Sequence, residues 1–149
     1  MTKPSLRLAF VLMALTSPLL LAQQASSPAA PAKAPAFKAH VLTVPELDAL
    51  ITKPEQLLFV DVRRPDEVTS IGGFPAYFSV QLADLDKSLA WIPKDRTIVT
   101  VSNHAARAGK AADLLSSKGF KVAGAVGAET FEKDGGKIAH IKAPSADKP

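Results

Sequence analysis

Two short apolar runs constrain this fold more than anything else in the sequence. Residues 57–62 read LLFVDV, continuous but for Asp61, and residues 97–101 read TIVTV. A strand with one wet face alternates apolar and polar side chains. A run without that alternation is a strand covered on both faces, as in a parallel sheet with helices on either side. The intervening segments supply such helices. Thr43-Val44-Pro45-Glu46 has the form of a capping box with proline in the first turn, and Val44, Leu47, Leu50 and Ile51 then share one face. Residues 105–118 are rich in alanine, with Ala108, Ala111, Ala112 and Leu115 as the buried stripe and Gly119 placed to stop the helix. Leu82, Leu85, Leu89 and Ile92 mark another helix, residues 128–133 a short one, and residues 78–80 and 122–125 two further strands. Strands alternating with helices predict an α/β domain whose central, mostly parallel sheet is flanked by helices. Trp91 and Phe131 are expected in its core.

The folded unit is expected over residues 37–142. Residues 1–25 have the parts of a secretory signal: Lys3 and Arg7 form a basic start, residues 8–15 an unbroken apolar run, and Ala22 and Ala25 offer small residues for cleavage. The apolar stretch is interrupted by Thr16, Ser17 and Pro18 and falls short of the ~20 residues that span a bilayer, so no stable membrane span is expected after cleavage. Residues 26–36 alternate proline and alanine, which favours an extended linker, and residues 143–149 form a tail. The expected location is periplasmic or secreted.

Charge and cysteine content remove several function classes. The chain carries 18 basic and 14 acidic residues, and without Lys3 and Arg7 the balance is 16 against 14, too small for a nucleic-acid-binding face. There is no cysteine, hence no disulfide, thiolate metal site or cysteine nucleophile. His40, His104 and His140 are far apart in sequence and form no local ligand pair, so no metal is expected. Ala108-Gly109-Lys110-Ala111 lacks the first glycine and the hydroxyl residue of a phosphate-binding loop, and no nucleotide or other cofactor is implied.

In open parallel sheets, ligands bind where strand ends lead into helix N-termini. Two segments qualify: 61–67 after the first strand and 102–107 after TIVTV. A tight strand-to-helix connection aims backbone N–H groups and the positive end of the helix dipole at one point, which suits an anion. Ser102, Asn103, His104, Ala105, Ala106 and Arg107 are the anion-binding candidates, with Arg107 adding a fixed positive charge and Asp61 and Arg63 in support. Asp61 suits a structural role at the strand end, Arg63 is expected to pair with Asp66 or Glu67, and Arg64 to face solvent. Phe74, Tyr77 and Phe78 are either an apolar rim beside the loop or core packing.

The order DVRRPDEV, TIVTVSNHAARAGKAADLLSSKGF and GAVGAETFEKDGG resembles the rhodanese domain, over residues 43–138. The resemblance implies that Asp61-Val62-Arg63 with Pro65 and Glu67 is the segment following the first core strand. It places Ser102 where the family has its catalytic cysteine and Arg107 at the arginine ending the active loop. Gly127-Ala128 with Phe131 falls at its Gly-Gly and tryptophan positions, and Gly72-Gly73-Phe74-Pro75-Ala76 at its Gly-His-Ile-Pro-Gly. Rhodaneses carry sulfur as a cysteine persulfide, which needs a polarisable thiolate; a serine hydroxyl cannot form one, and no other cysteine is present to replace it. Sulfur transfer by that route is chemically excluded.

The expected function is therefore an exported rhodanese-like domain without sulfurtransferase activity, binding a small oxyanion or an acidic group of a protein partner through residues 102–107. The alternatives are an enzyme of unknown class using Ser102 or His104, although no Gly-x-Ser-x-Gly turn surrounds Ser102, and a non-catalytic scaffold.

Overall fold

The computed structural model describes residues 36–140; the signal, most of the linker and the tail expected from sequence lie outside them. Helix α1 (Val44–Ile51) leads through a 3-10 turn at Pro54–Gln56 into β1 (Leu57–Asp61), followed by α2 (Pro65–Ile71), β2 (Tyr77–Ser79) and a long 3-10 segment (Leu82–Trp91). Then come β3 (Thr97–Ser102), α3 (Ala105–Ser117), β4 (Lys121–Gly127) and α4 (Ala128–Lys133). The strands form one sheet in the order β2-β1-β3-β4, every neighbouring pair parallel.

The two unbroken apolar runs occupy the middle of this sheet and are covered on both sides. Their side chains alternate between two cores, as a period of two requires. Val60, Val62 and Ile98 pack with Leu85, Ala111, Leu115 and Phe120 on one face. Phe59, Val99 and Val101 pack with Leu47, Phe74, Val126 and Phe131 on the other. The helix ends follow local chemistry. The Glu46 carboxylate accepts from the Thr43 backbone N–H at 2.8 Å and from its hydroxyl at 2.7 Å. At the far end of α3, Gly119 adopts φ +80°, Phe120 N–H donates to Leu115 O and Gly119 N–H to Ser116 O, each at 3.1 Å. That is a Schellman turn, and Phe120 closes it by packing on the same core as Leu115.

Three differences from the sequence reading are informative. Residues 65–71 form α2, a helix the apolar pattern alone does not reveal. Pro65 sits in its first turn, and Glu67 accepts from the Arg64 backbone N–H at 3.0 Å. The segment marked by Leu82, Leu85, Leu89 and Ile92 winds as a 3-10 helix. The Ser88 hydroxyl competes with its backbone hydrogen bonds by donating to Asp84 O at 3.0 Å. Leu85 and Ile92 take the buried positions, which turns Trp91 outward: it is 77 % exposed and not a core residue, whereas Phe131 is buried as expected. Phe74 is also core, stacked on Phe59 with ring centroids 4.3 Å apart. Phe78 packs toward the opposite core and Tyr77 is exposed, so these three aromatics do not form one rim.

Candidate functional site

The carboxyl ends of β1 and β3 are adjacent, and both candidate segments meet there. Asp61 ends β1 and Arg63 follows two residues later, where the chain bends and the two side chains meet. Both are buried, and they form a fork. Arg63 Nη2 donates to Asp61 Oδ2 at 2.6 Å and Arg63 Nε to Oδ1 at 2.9 Å, while the Arg63 backbone N–H also reaches Oδ1. The remaining guanidinium donor, Nη1, holds Gly72 O at 2.9 Å and lies 3.4 Å from Asn103 Oδ1. Gly73 leaves the room this needs, because a Cβ there would lie 2.8 Å from Arg63 Nη2 and the guanidinium would have to shift. The expected pairing of Arg63 with Asp66 or Glu67 is thus corrected: its partner is Asp61. Arg64 instead pairs with Asp66 at 2.9 Å on the exposed surface.

Ser102 ends β3 fully buried. Its hydroxyl accepts from Ala108 N–H at 2.9 Å and donates to the backbone carbonyl of His104. Both hydrogen-bonding functions therefore serve the start of α3, and no hydrogen bond joins the hydroxyl to the His104 ring. Only Asn103 and His104 separate β3 from α3. The Asn103 carbonyl accepts from Glu129 N–H at 3.1 Å. Gly127 closes in from β4, where a Cβ would come within 2.8 Å of His104 Cα and 2.9 Å of Ala105 N. The connection is a packed turn. His104 points outward, 71 % exposed, with Nε2 3.8 Å from Glu129 Oε2.

The residue that organises this corner is Glu67, which the sequence reading places in the 61–67 segment and pairs with Arg63, and does not join to Asn103 or Arg107. Arg107 Nη2 donates to Glu67 Oε1 at 2.6 Å and Nη1 to Oε2 at 2.9 Å, a bidentate pair. Asn103 Nδ2 adds a bond to Oε1 at 2.7 Å and the Arg64 backbone N–H one to Oε2. The Arg107 guanidinium, and after it the Arg64 backbone N–H, hold the Glu67 carboxyl down to about 2, and the pair raises Arg107 in turn. A signal for this was present. A glutamate three residues after a proline-preceding cap belongs to the first turn of a helix, and that helix starts where the β1 end faces the β3 end.

The anion-binding candidates accordingly separate. Asn103 and Arg107 converge on one point, and a carboxylate of the same chain occupies it. The Ser102 hydroxyl is occupied by the start of α3, Ala105 N lies against Gly127, Ala106 is exposed in the first turn of α3, and the His104 side chain points outward. Asp61 and Arg63 form the buried support beneath. Among the described residues no cluster of histidine and acidic side chains could hold a metal ion. His40 and His140 bond separately to Glu46 and Glu132.

No protein-family profile and no curated relative matches this sequence. Solved structures do. A rhodanese-related protein from Thermoplasma volcanium aligns at 17 % identity and a TM-score of 0.59, covering 68 % of this chain and 99 % of that one. A rhodanese-like domain protein from Staphylococcus aureus aligns at 18 % identity and 0.56, covering 68 % and 98 %. A thiosulfate sulfurtransferase from Pseudomonas aeruginosa aligns at 22 % identity and 0.55, covering 70 % of this chain and 21 % of the enzyme. The chain thus has the rhodanese-like fold, as a single α/β domain on a four-stranded parallel sheet, and it has no cysteine.

Proposed function

We propose that this chain is an exported, non-catalytic rhodanese-like module that binds an acidic group of a partner protein, or a small oxyanion, at the Asn103–Arg107 corner. The seat made for Glu67 carries this reading. A carboxylate held by an asparagine amide, both terminal nitrogens of Arg107 and a backbone N–H describes the ligand chemistry the corner accepts. Arg107 is 38 % exposed, so an incoming acid can reach it and displace Glu67. The absence of any thiol supports the non-catalytic half, since sulfane transfer has no carrier atom. Export rests on the tripartite pattern of residues 1–25.

Calorimetric titration with sulfate, phosphate, thiosulfate and sulfite tests the reading. Glu67→Gln removes the resident anion and should tighten the best of these by about tenfold, equivalent to ~1.4 kcal/mol. Arg107→Ala should abolish the response. If Glu67→Gln binds none of them, the corner is structural and the chain is a scaffold. Sulfur transfer from thiosulfate to cyanide should be absent, and turnover by the cysteine-free chain would refute the non-catalytic assignment.

A further inference from the structure

A second concavity lies on the α1–α4 side of the sheet, lined by none of the residues of the Asn103–Arg107 corner. Its volume is about 520 Å³, within the ~300–1,000 Å³ typical of small-molecule sites. Leu57, Phe59 and Phe74 line it, with Ile51 on the α1 side and Ala76 beside β2. The two lining rings are locked on each other and on a third, Phe131, behind them. Phe59 and Phe74 are parallel to within 1°, and Phe131 tilts against Phe74 at 5.6 Å between centroids.

The opposite wall is backbone. Gly135 adopts φ +95°, and Gly136 lies so close to Phe131 that a Cβ would fall 2.2 Å from its ring. Gly135 turns the chain and Gly136 brings it against the Phe131 ring. Ile51 is 40 % exposed where it meets the cavity, leaving apolar surface uncovered next to a preformed hollow. Two charged groups stand among these apolar ones, Asp48 on α1 and Lys137 after the glycines, and neither has an ion-pair partner among the described residues. Their reach differs. The Asp48 carboxylate is one methylene from its helix, whereas the lysine stem can lie along an apolar body and set its ammonium at the far end.

We propose that this cavity binds a small, flat apolar molecule carrying one anionic group, an aromatic carboxylate or sulfonate, with the ring system against Phe59, Phe74 and Ile51 and the anion on Lys137. The site is separate from the corner discussed above and stands or falls without it. The Phe59–Phe74 stack supplies a rigid wall that needs no rearrangement on binding, and Lys137 selects charge.

The test uses the full chain and two isosteric probes, 2-naphthoate and the neutral 2-naphthamide, followed by amide chemical-shift mapping and titration. Both should perturb Ile51, Phe74, Ala76, Gly135 and Gly136, with naphthoate binding about fivefold more tightly, or ~1 kcal/mol. Lys137→Met should erase that preference while leaving the neutral probe bound. Ala76→Trp, at an exposed position beside the hollow, should block both probes with the remaining spectrum unchanged. Absence of shifts at millimolar probe overturns the proposal, as does a charge preference that survives Lys137→Met. Perturbations confined to Asn103 and Arg107 would assign the probes to the other site. Shifts that grow with protein concentration alone would identify a second copy of the chain as the occupant. Either result would also overturn it.

Discussion

The two connections that leave the sheet at the ends of β1 and β3 meet the same requirement with opposite chemistry. After β1, a full ion pair is sealed in the interior: the Asp61 and Arg63 side chains are 2 % and 0 % exposed. After β3, the buried group is a neutral hydroxyl, Ser102, and the charge lies outward, where Arg107 and Glu67 are 38 % and 15 % exposed. A sealed pair cannot exchange partners, because each charge alone would be stranded away from water. A pair at the surface can. The first connection therefore builds the corner and the second can use it.

The largest effect should come from breaking the sealed pair. Asp61→Ala leaves the Arg63 guanidinium buried without its counter-charge, at an expected loss of about 3–5 kcal/mol. That is a large part of the ~5–15 kcal/mol available to a domain. In urea denaturation the double variant Asp61→Leu/Arg63→Met should be more stable than Asp61→Leu alone. If the double variant is worse by the sum of both single losses, the charges are not acting as a pair. Next in size is Ser102→Ala, which deprives the buried Ala108 N–H of its acceptor and the His104 carbonyl of its donor, for about 1–2 kcal/mol. A loss within error would mean that the hydroxyl is replaceable by water and the turn is looser than described.

Glu67 should matter less for stability and more for its pH dependence. Its carboxyl is held at about 2 against an ordinary value of 4.5, so the ionised form belongs to the folded state. The contribution is complete above the ordinary value and is lost as pH falls from about 4.5 toward about 2. Glu46 is lowered to about 2 as well, mainly by the Thr43 backbone N–H, so the wild type loses stability in this window for two reasons. The difference between wild type and Glu67→Gln isolates one of them. It should be about 1 kcal/mol at neutral pH, allowing for solvent around Arg107, and should vanish near pH 2. A difference that persists at pH 2 would show that Glu67→Gln acts through packing.

How much of this was legible in the sequence depends on the range of the interaction. The sheet was, because LLFVDV and TIVTV require cover on both faces and that pattern is local. So were the Thr43 cap and the Gly119 stop, since each bond there spans only a few residues. Strand lengths were not. β4 continues to Gly127 because its end packs under the β3–α3 turn, a contact between segments about twenty residues apart. The corner was half legible. The place of Asn103 and Arg107 at a helix start is visible in the sequence, yet the anion they hold comes from α2, 36 and 40 residues earlier. Trp91 went astray for a related reason: hydrophobicity marks a residue as fit for a core, but the 3-10 winding of residues 82–91 decides which side it faces.

The smallest effect tests the comparison from its exposed end. Arg64 and Asp66 form a well-shaped pair, with Nη2 to Oδ2 at 2.9 Å and Nε to Oδ1 at 3.0 Å, but their side chains are 61 % and 68 % exposed. Water and salt screen such a pair, and holding two flexible side chains together offsets most of what remains. Asp66→Asn should leave the thermal midpoint unchanged within error at physiological salt. The three ion pairs made by residues 61–67 would then rank by burial, Asp61–Arg63 above Glu67–Arg107 above Asp66–Arg64, although the distances hardly differ. If Asp66→Asn matched Glu67→Gln in its effect, burial could not be the variable that sets the order. The loss would then trace to the first turn of α2, where Asp66 also faces the positive end of the helix. Repeating Asp66→Asn in an Arg64→Met background, where the pair is already gone, separates the two causes. A loss that disappears there belongs to the pair, and one that persists belongs to the helix start itself.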